Sequence, residues 1–146
     1  MEVRARTVSS GTAKGRAVVS GQPLNLLVAL KAAVAWRHRL GKIGDRDHEL
    51  YGIRTTGRIL VVPELHGSTM GAPVLFELIR KRLAPRALIL RQAGTLAAAV
   101  GALSQAWAER PFPIVDQPAD DLWARLSTGD LVIVSAQPEG ALITIP

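Results

Sequence analysis

Two short, wholly apolar runs constrain this chain most. The runs within residues 58–63 and 86–90 are too short for buried helices and lack the polar alternation of a half-exposed strand. Such runs are the pattern of strands buried on both faces, as in a parallel sheet covered by helices. Between them, residues 72–83 carry helical periodicity, with Glu77 four residues ahead of Lys81 in the favourable order. Strand, helix, strand in that order requires a crossover connection and hence a parallel core.

The flanks add strands of another kind. Val3, Ala5 and Thr7 alternate with Arg4 and Arg6, which predicts a half-exposed strand. Gly11 and Gly15 read as the brackets of a turn before a second strand over 16–20, so an antiparallel hairpin is expected at the start of the chain. A closing hairpin is expected from the runs at 130–135 and 141–145, separated by Gln-Pro-Glu-Gly. Helices are expected over 25–40, stopped by Gly41, over 95–107, and briefly over 119–126, with a short strand at 113–115. The fold class is therefore α/β, a mixed sheet with a parallel core and antiparallel hairpins at both ends, in a single domain over residues 1–146.

Composition narrows the function classes. Hydrophobic residues make up 48% of the chain and aromatics 4%, so aliphatic side chains must fill the core. There is no cysteine, which excludes disulfides and any thiolate-held zinc or iron–sulfur centre on this chain alone. The net charge of +6 suits an anionic partner. Its densest clusters are Arg37-His38-Arg39 and Arg80-Lys81-Arg82, the second at a helix end where cations complement the dipole. No aromatic residues alternate with these charges as a single-strand stacking platform needs, so nucleic-acid binding is not expected. The first residues carry no apolar signal region, and the longest apolar stretch is interrupted by Lys31 and too short for a bilayer. A soluble, cytoplasmic protein without membrane attachment is expected.

The segment Pro63-Glu-Leu-His-Gly-Ser-Thr-Met-Gly-Ala72 follows the first buried run. In open α/β sheets ligands gather where parallel strands end and helices begin. Pro73 is tolerated only in a first helical turn, so the helix starts near 70–72 and leaves His66, Gly67, Ser68 and Thr69 in the loop, with Gly71 at the helix start. Two readings stand side by side: Ser68 or Thr69 caps the helix, or the loop's amides and hydroxyls hold an anion at the positive end of the dipole. The sequence around Ser68 lacks the glycines of a nucleophile elbow. A second polar loop, Asp45-Arg-Asp-His-Glu49, reads either as a solvated, charge-balanced turn or as a site where Asp45, Asp47 and His48 ligate a hard cation or hold a proton relay. The three histidines, His38, His48 and His66, lie too far apart in sequence for a zinc site of their own.

Four stretches in one order resemble the small, swivel-domain subunit of the aconitase X family of hydro-lyases. They are Gly11-x-x-x-Gly-x-Ala-Val-Val-Ser-x-x-Pro-Leu24, Gly41-x-Ile-x-Asp-x-x-His-x-Leu-x-Gly52, Gly57-Arg-Ile-Leu-Val-Val-Pro63 running into His66–Gly71, and Leu126-x-x-Gly-Asp-x-Val132. The resemblance implies a swivelling β/β/α domain that closes over a large subunit, which carries an iron or iron–sulfur centre; this chain binds no cofactor or metal of its own. It implies that Ser68, at the position similar to the aconitase serine, is the general base. His66, Gly67, Thr69 and Gly71 are then expected to bind substrate, and Asp45 and His48 to support the site or its interface. The implied substrate is a small anionic hydroxy acid, cis-3-hydroxy-L-proline or alternatively 5-phosphomevalonate. The chain departs from the family over 24–40, which is rich in Ala and Leu where a Gly-Gly and an acidic residue are usual. That departure motivates a different alternative, a stand-alone swivel domain acting as a binding or regulatory module without catalysis.

Overall fold

Alternation of apolar side chains across a curved sheet organises the molecule. The computed structural model describes residues 1–35, 40–119 and 121–146, without the side chains at 34 and 35. In chain order the elements are β1 (Glu2–Ser9), β2 (Gly11–Val19), β3 (Leu24–Asn25), α1 (Leu26–Ala35), β4 (Ile59–Val62), β5 (Leu65–His66), α2 (Gly71–Arg80), β6 (Ala87–Leu90), α3 (Thr95–Trp107), β7 (Ile114–Asp116), α4 (Leu122–Arg125), β8 (Leu131–Gln137) and β9 (Gly140–Thr144).

Seven strands form a mixed, closed barrel in the order β1-β7-β6-β4-β2-β8-β9, with β9 returning to β1. The pairs β2–β4, β4–β6 and β6–β7 are parallel, whereas β2–β8, β8–β9, β9–β1 and β1–β7 are antiparallel. The two apolar runs become neighbours, Ile59 opposite Ala87 and Val62 opposite Leu90. Ile59, Val61, Ala87 and Ile89 fill one core with Val132, Val134 and Ile143, inside the barrel. Leu60, Val62, Leu88 and Leu90 belong to a second core, which packs Leu30 of α1, Leu75 and Leu78 of α2, and Val100 of α3 against the barrel's outer face. Each fully buried Leu or Ile contributes roughly 1.5–3 kcal/mol to folding. Continuous apolar sequence is thus required by two cores, one on each face of the same strands.

The expected hairpin at the start of the chain does not form. Among the described residues β1 pairs with β7 and β9, and β2 pairs with β4 and β8, so these consecutive strands diverge instead of pairing. Gly11 and Gly15 are glycines for a different reason than a turn: both sit inside β2, where the chain is crowded. At Gly11, whose φ is +149°, a Cβ would lie 2.7 Å from Pro111 Cβ; at Gly15 it would lie 2.9 Å from the Gly57 carbonyl oxygen. The closing hairpin forms as expected, with Val134 opposite Ile143 and Gln137 opposite Gly140.

The helix expected over 25–40 is described as α1 over Leu26–Ala35; residues 36–39, with the Arg37-His38-Arg39 cluster, lie outside the described residues. The short helix expected over 119–126 is described only as α4, over Leu122–Arg125. Among the described residues no helix is long and apolar enough to cross a membrane. The two-residue strands β3 and β5, which pair in parallel apart from the barrel, were not expected, and they position the site.

Candidate functional site at two helix starts

β3 and β5 leave the barrel side by side. Buried Leu24 pairs with Leu65, Asn25 pairs with His66, and the Leu24 N–H donates to the Glu64 carbonyl at 3.0 Å. Each strand then turns into a helix, α1 directly after Asn25 and α2 after a short loop. The two first turns are pressed together, since a Cβ on Gly71 would lie 3.0 Å from Leu26 Cβ and 3.1 Å from the Leu27 nitrogen. Two positive dipole ends therefore open beside one another. The Asn25 side-chain oxygen accepts the Val28 N–H at 3.2 Å and so caps α1.

The expected site residues fall around this junction. His66 ends β5 instead of lying in the loop. Gly67 turns the chain at φ +101°, a left-handed conformation, and a Cβ there would meet Asn25 Oδ1 at 2.5 Å. The Ser68 hydroxyl oxygen accepts the Met70 N–H at 3.2 Å, and its carbonyl accepts the Gly71 N–H at 3.0 Å. Thr69 offers its carbonyl to the Ala72 N–H at 3.3 Å. Among the described residues no acceptor takes the Ser68 hydroxyl proton, and residues 66–70 are all exposed. The capping reading does not hold, since the N-cap of α2 is Met70 and no side chain caps it; Ser68 lies two residues earlier, where its hydroxyl oxygen accepts the Met70 N–H and stays exposed. Met70 beside it is 58% exposed, an apolar side chain left at the rim of a polar loop.

Asp45 and His48 belong to a separate hook at the same end of the barrel. The Asp45 carboxylate accepts the Asp47 N–H at 3.0 Å. His48 is buried; its Nδ1 accepts the Leu50 N–H at 3.1 Å, so the ring proton sits on Nε2 and faces the Gln22 carbonyl at 3.4 Å. Next to it the Glu49 N–H donates to Gln22 Oε1 at 3.0 Å, and the Ser20 hydroxyl donates to the Glu49 carboxylate. The loop is thereby fastened to residues 20–22 after β2, and the Ser20 N–H donates to the Val61 carbonyl of β4 at 2.9 Å. A burial of this kind is more than a solvated turn. Among the described residues, no hydrogen bond or ion pair joins Asp45 or His48 to Ser68, and no group of three histidines or carboxylates gathers as a metal ion would need. With no cysteine in the chain, and with Asp45 Oδ1 and His48 Nδ1 each accepting a main-chain N–H, the described residues do not fit an iron centre.

Asn25 is the residue that sequence reasoning passed over. Its signal was present: an asparagine immediately before a Leu- and Ala-rich helix is a preferred N-cap.

The family profile of the aconitase X swivel domain matches residues 2–145. The chain belongs to that family. It is 32% identical over 136 residues to the phosphomevalonate dehydratase small subunit of Methanothermobacter thermautotrophicus, covering 93% of this chain and 95% of the relative. It is 31% identical to the protein of the same name from Thermococcus kodakarensis, again over 136 residues, with 93% and 91% covered. Among solved structures, the crystal structure of Thermococcus kodakaraensis aconitase X in its holo-form superposes with a TM-score of 0.80 at 29% identity, covering all of this chain and 98% of that one. The swivel fold and its mixed sheet are shared over the whole length.

Proposed function

We propose that this chain is the small subunit of an aconitase-X-type dehydratase, and that Ser68 is its general base. The observation that carries the reading is the Ser68 oxygen itself: exposed, supplied with the Met70 N–H, and standing just before the start of α2. A serine hydroxyl is a weak base, and its alkoxide forms only where fixed dipoles stabilise the charge. The Met70 amide and the convergent helix starts supply such dipoles. In the proposed step the Ser68 oxygen takes a proton from a carbon of the substrate; that C–H electron pair becomes a C=C bond as the hydroxyl leaves the neighbouring carbon. Gly67 and Gly71 let the loop and α2 pack closely on Asn25 and α1, and the positive ends of the two helix dipoles face the substrate's anionic group.

The site is open on one side and needs a second wall. A large-subunit partner supplies that wall in this reading, and the exposed Met70 suits its rim. The iron or iron–sulfur centre implied by the family is assigned to that partner, because this chain's own residues do not fit it. The names of the curated relatives favour a phosphorylated hydroxy acid of the 5-phosphomevalonate type over cis-3-hydroxy-L-proline.

The test is Ser68→Ala in the reconstituted two-subunit complex. Turnover is expected to fall about 10³-fold or more, with circular dichroism and complex formation unchanged. Near-normal turnover by that variant removes the assignment.

A further inference from the structure

We infer a second anion site, at the pole of the barrel opposite Ser68, that takes a small phosphorylated molecule. A cavity of about 530 Å³ opens at the amino-terminal ends of β4, β6 and β7. Its walls carry four cations, Lys14, Arg82, Arg86 and Arg110, and no carboxylate, over an apolar floor that includes Ile79 and Phe112. Among the described residues, the one acid paired with any of these cations is Glu109, 3.8 Å from Arg82, with its side chain 89% exposed to water. Such a pair neutralises little. Like charges gathered in a concave, low-dielectric wall raise the local potential and draw in a compact anion.

A second observation points the same way. Arg82 has φ +61°, in the left-handed region, two residues past Arg80, the last residue of α2. Its N–H donates to the Ile79 carbonyl at 3.1 Å, and the Leu83 and Ala84 N–H groups donate to the Leu78 carbonyl. Glycine is the usual residue at this helix-ending position, because no Cβ then meets the backbone. Fold stability alone would favour glycine here, so an arginine held in an unfavourable conformation beside a cationic cavity is a pointer to function. Arg86 is fixed as well, its Nη1 donating to the Lys14 carbonyl at 2.9 Å. Guanidinium groups held in place match the paired oxygens of a phosphate. The compact cluster of cations around one cavity favours a small phosphate ester or diphosphate over a polynucleotide, which would follow an extended basic strip.

Titration calorimetry on the full chain with inorganic diphosphate tests this. One saturable site per chain is expected. Arg82→Gly and Lys14→Gln should each weaken binding about tenfold, the loss of about 1.4 kcal/mol of charge-assisted bonding. Arg46→Gln, which removes an equal charge from the other pole, should leave it unchanged. Phenyl phosphate should bind at least about threefold more tightly than inorganic phosphate, because the floor is apolar. The melting midpoint of Arg82→Gly should hold or rise, so lost binding cannot be ascribed to unfolding. Absence of saturable binding, equal weakening by Arg46→Gln, or no advantage for the phenyl ester overturns the site. So does displacement of diphosphate by a single-stranded oligonucleotide at lower concentration than by diphosphate itself.

Discussion

The two poles of the barrel handle negative charge by different means. At the carboxyl ends of the parallel strands the groups are main-chain: the Met70 amide at the Ser68 hydroxyl oxygen, beside the starts of α1 and α2, which glycines at 67 and 71 allow to pack closely. At the amino ends they are long side chains, Lys14, Arg82, Arg86 and Arg110, around a cavity. Main-chain dipoles cost no reorganisation and sit to within tenths of an ångström, which suits a reacting atom. Cationic side chains carry full charge but must be ordered on binding, which suits recognition. Substitutions should therefore separate the poles, with an added methyl group harming the first and a lost charge harming the second.

The sharpest way to break that comparison, after removal of the Ser68 hydroxyl, is Gly67→Ala. The added Cβ would lie 2.5 Å from Asn25 Oδ1, at a φ of +101° that alanine adopts poorly. We expect turnover of the complex to drop about 100-fold, because a displacement near 1 Å has that cost in a positioned site, while diphosphate binding at the opposite pole persists. Equal loss at both poles would show that the barrel itself had been disturbed.

Next in size is Asp116→Ala. Asp116 is fully buried at the end of β7, where its carboxylate binds Arg6 through two hydrogen bonds of 2.8 and 2.6 Å and accepts the Ala93 N–H at 2.8 Å. One carboxylate thus ties β1 to the loop entering α3. Its removal leaves the Ala93 N–H unpaired in a partly buried place and should cost about 2 kcal/mol, read as a lower urea midpoint. Turnover per folded complex should change little, because the Ser68 loop is held by β3, β5 and α1 instead.

How legible was this in the sequence? The buried runs at 59–62 and 87–90, α3 and the closing hairpin followed from pattern, because burial on both faces leaves no other composition open to a strand. The divergence of β1 and β2 did not. Gly11 and Gly15 look alike in sequence whether they serve a turn or a close approach, and only the crossing of Pro111 and the Gly57 carbonyl tells them apart. Ser68 was found from Pro73 and the helix start, which are local signals. The pairing of Asn25 with His66 spans 41 residues and rests on two-residue strands, too short for any periodicity to register. Lys14, Arg86 and Arg110 escaped notice for the same reason, since closure of the barrel brings together cations that are scattered along the chain.

The smallest expected effect concerns α2, which runs from the Ser68 loop to the cationic cavity. Near its end Glu77 binds Arg80 at 2.6 Å and approaches Lys81 at 3.8 Å. The Arg80 hydrogen bonds hold the Glu77 carboxyl below its ordinary value of 4.5. A carboxylate depressed in this way adds stability that is fully present above its unfolded value and is lost as the pH falls through the lower folded one. The pair is exposed, so salt and water screen it. Glu77→Gln should lower the urea midpoint slightly at neutral pH, and the difference from the parent chain should vanish on acidification below the folded value or in molar salt. Since Glu77 occupies Arg80 and Lys81 while Arg82 turns the other way at φ +61°, diphosphate affinity should be no weaker in Glu77→Gln. A marked loss of affinity would mean that Glu77 orders the cavity wall, and the division of labour among the three consecutive cations would have to be redrawn.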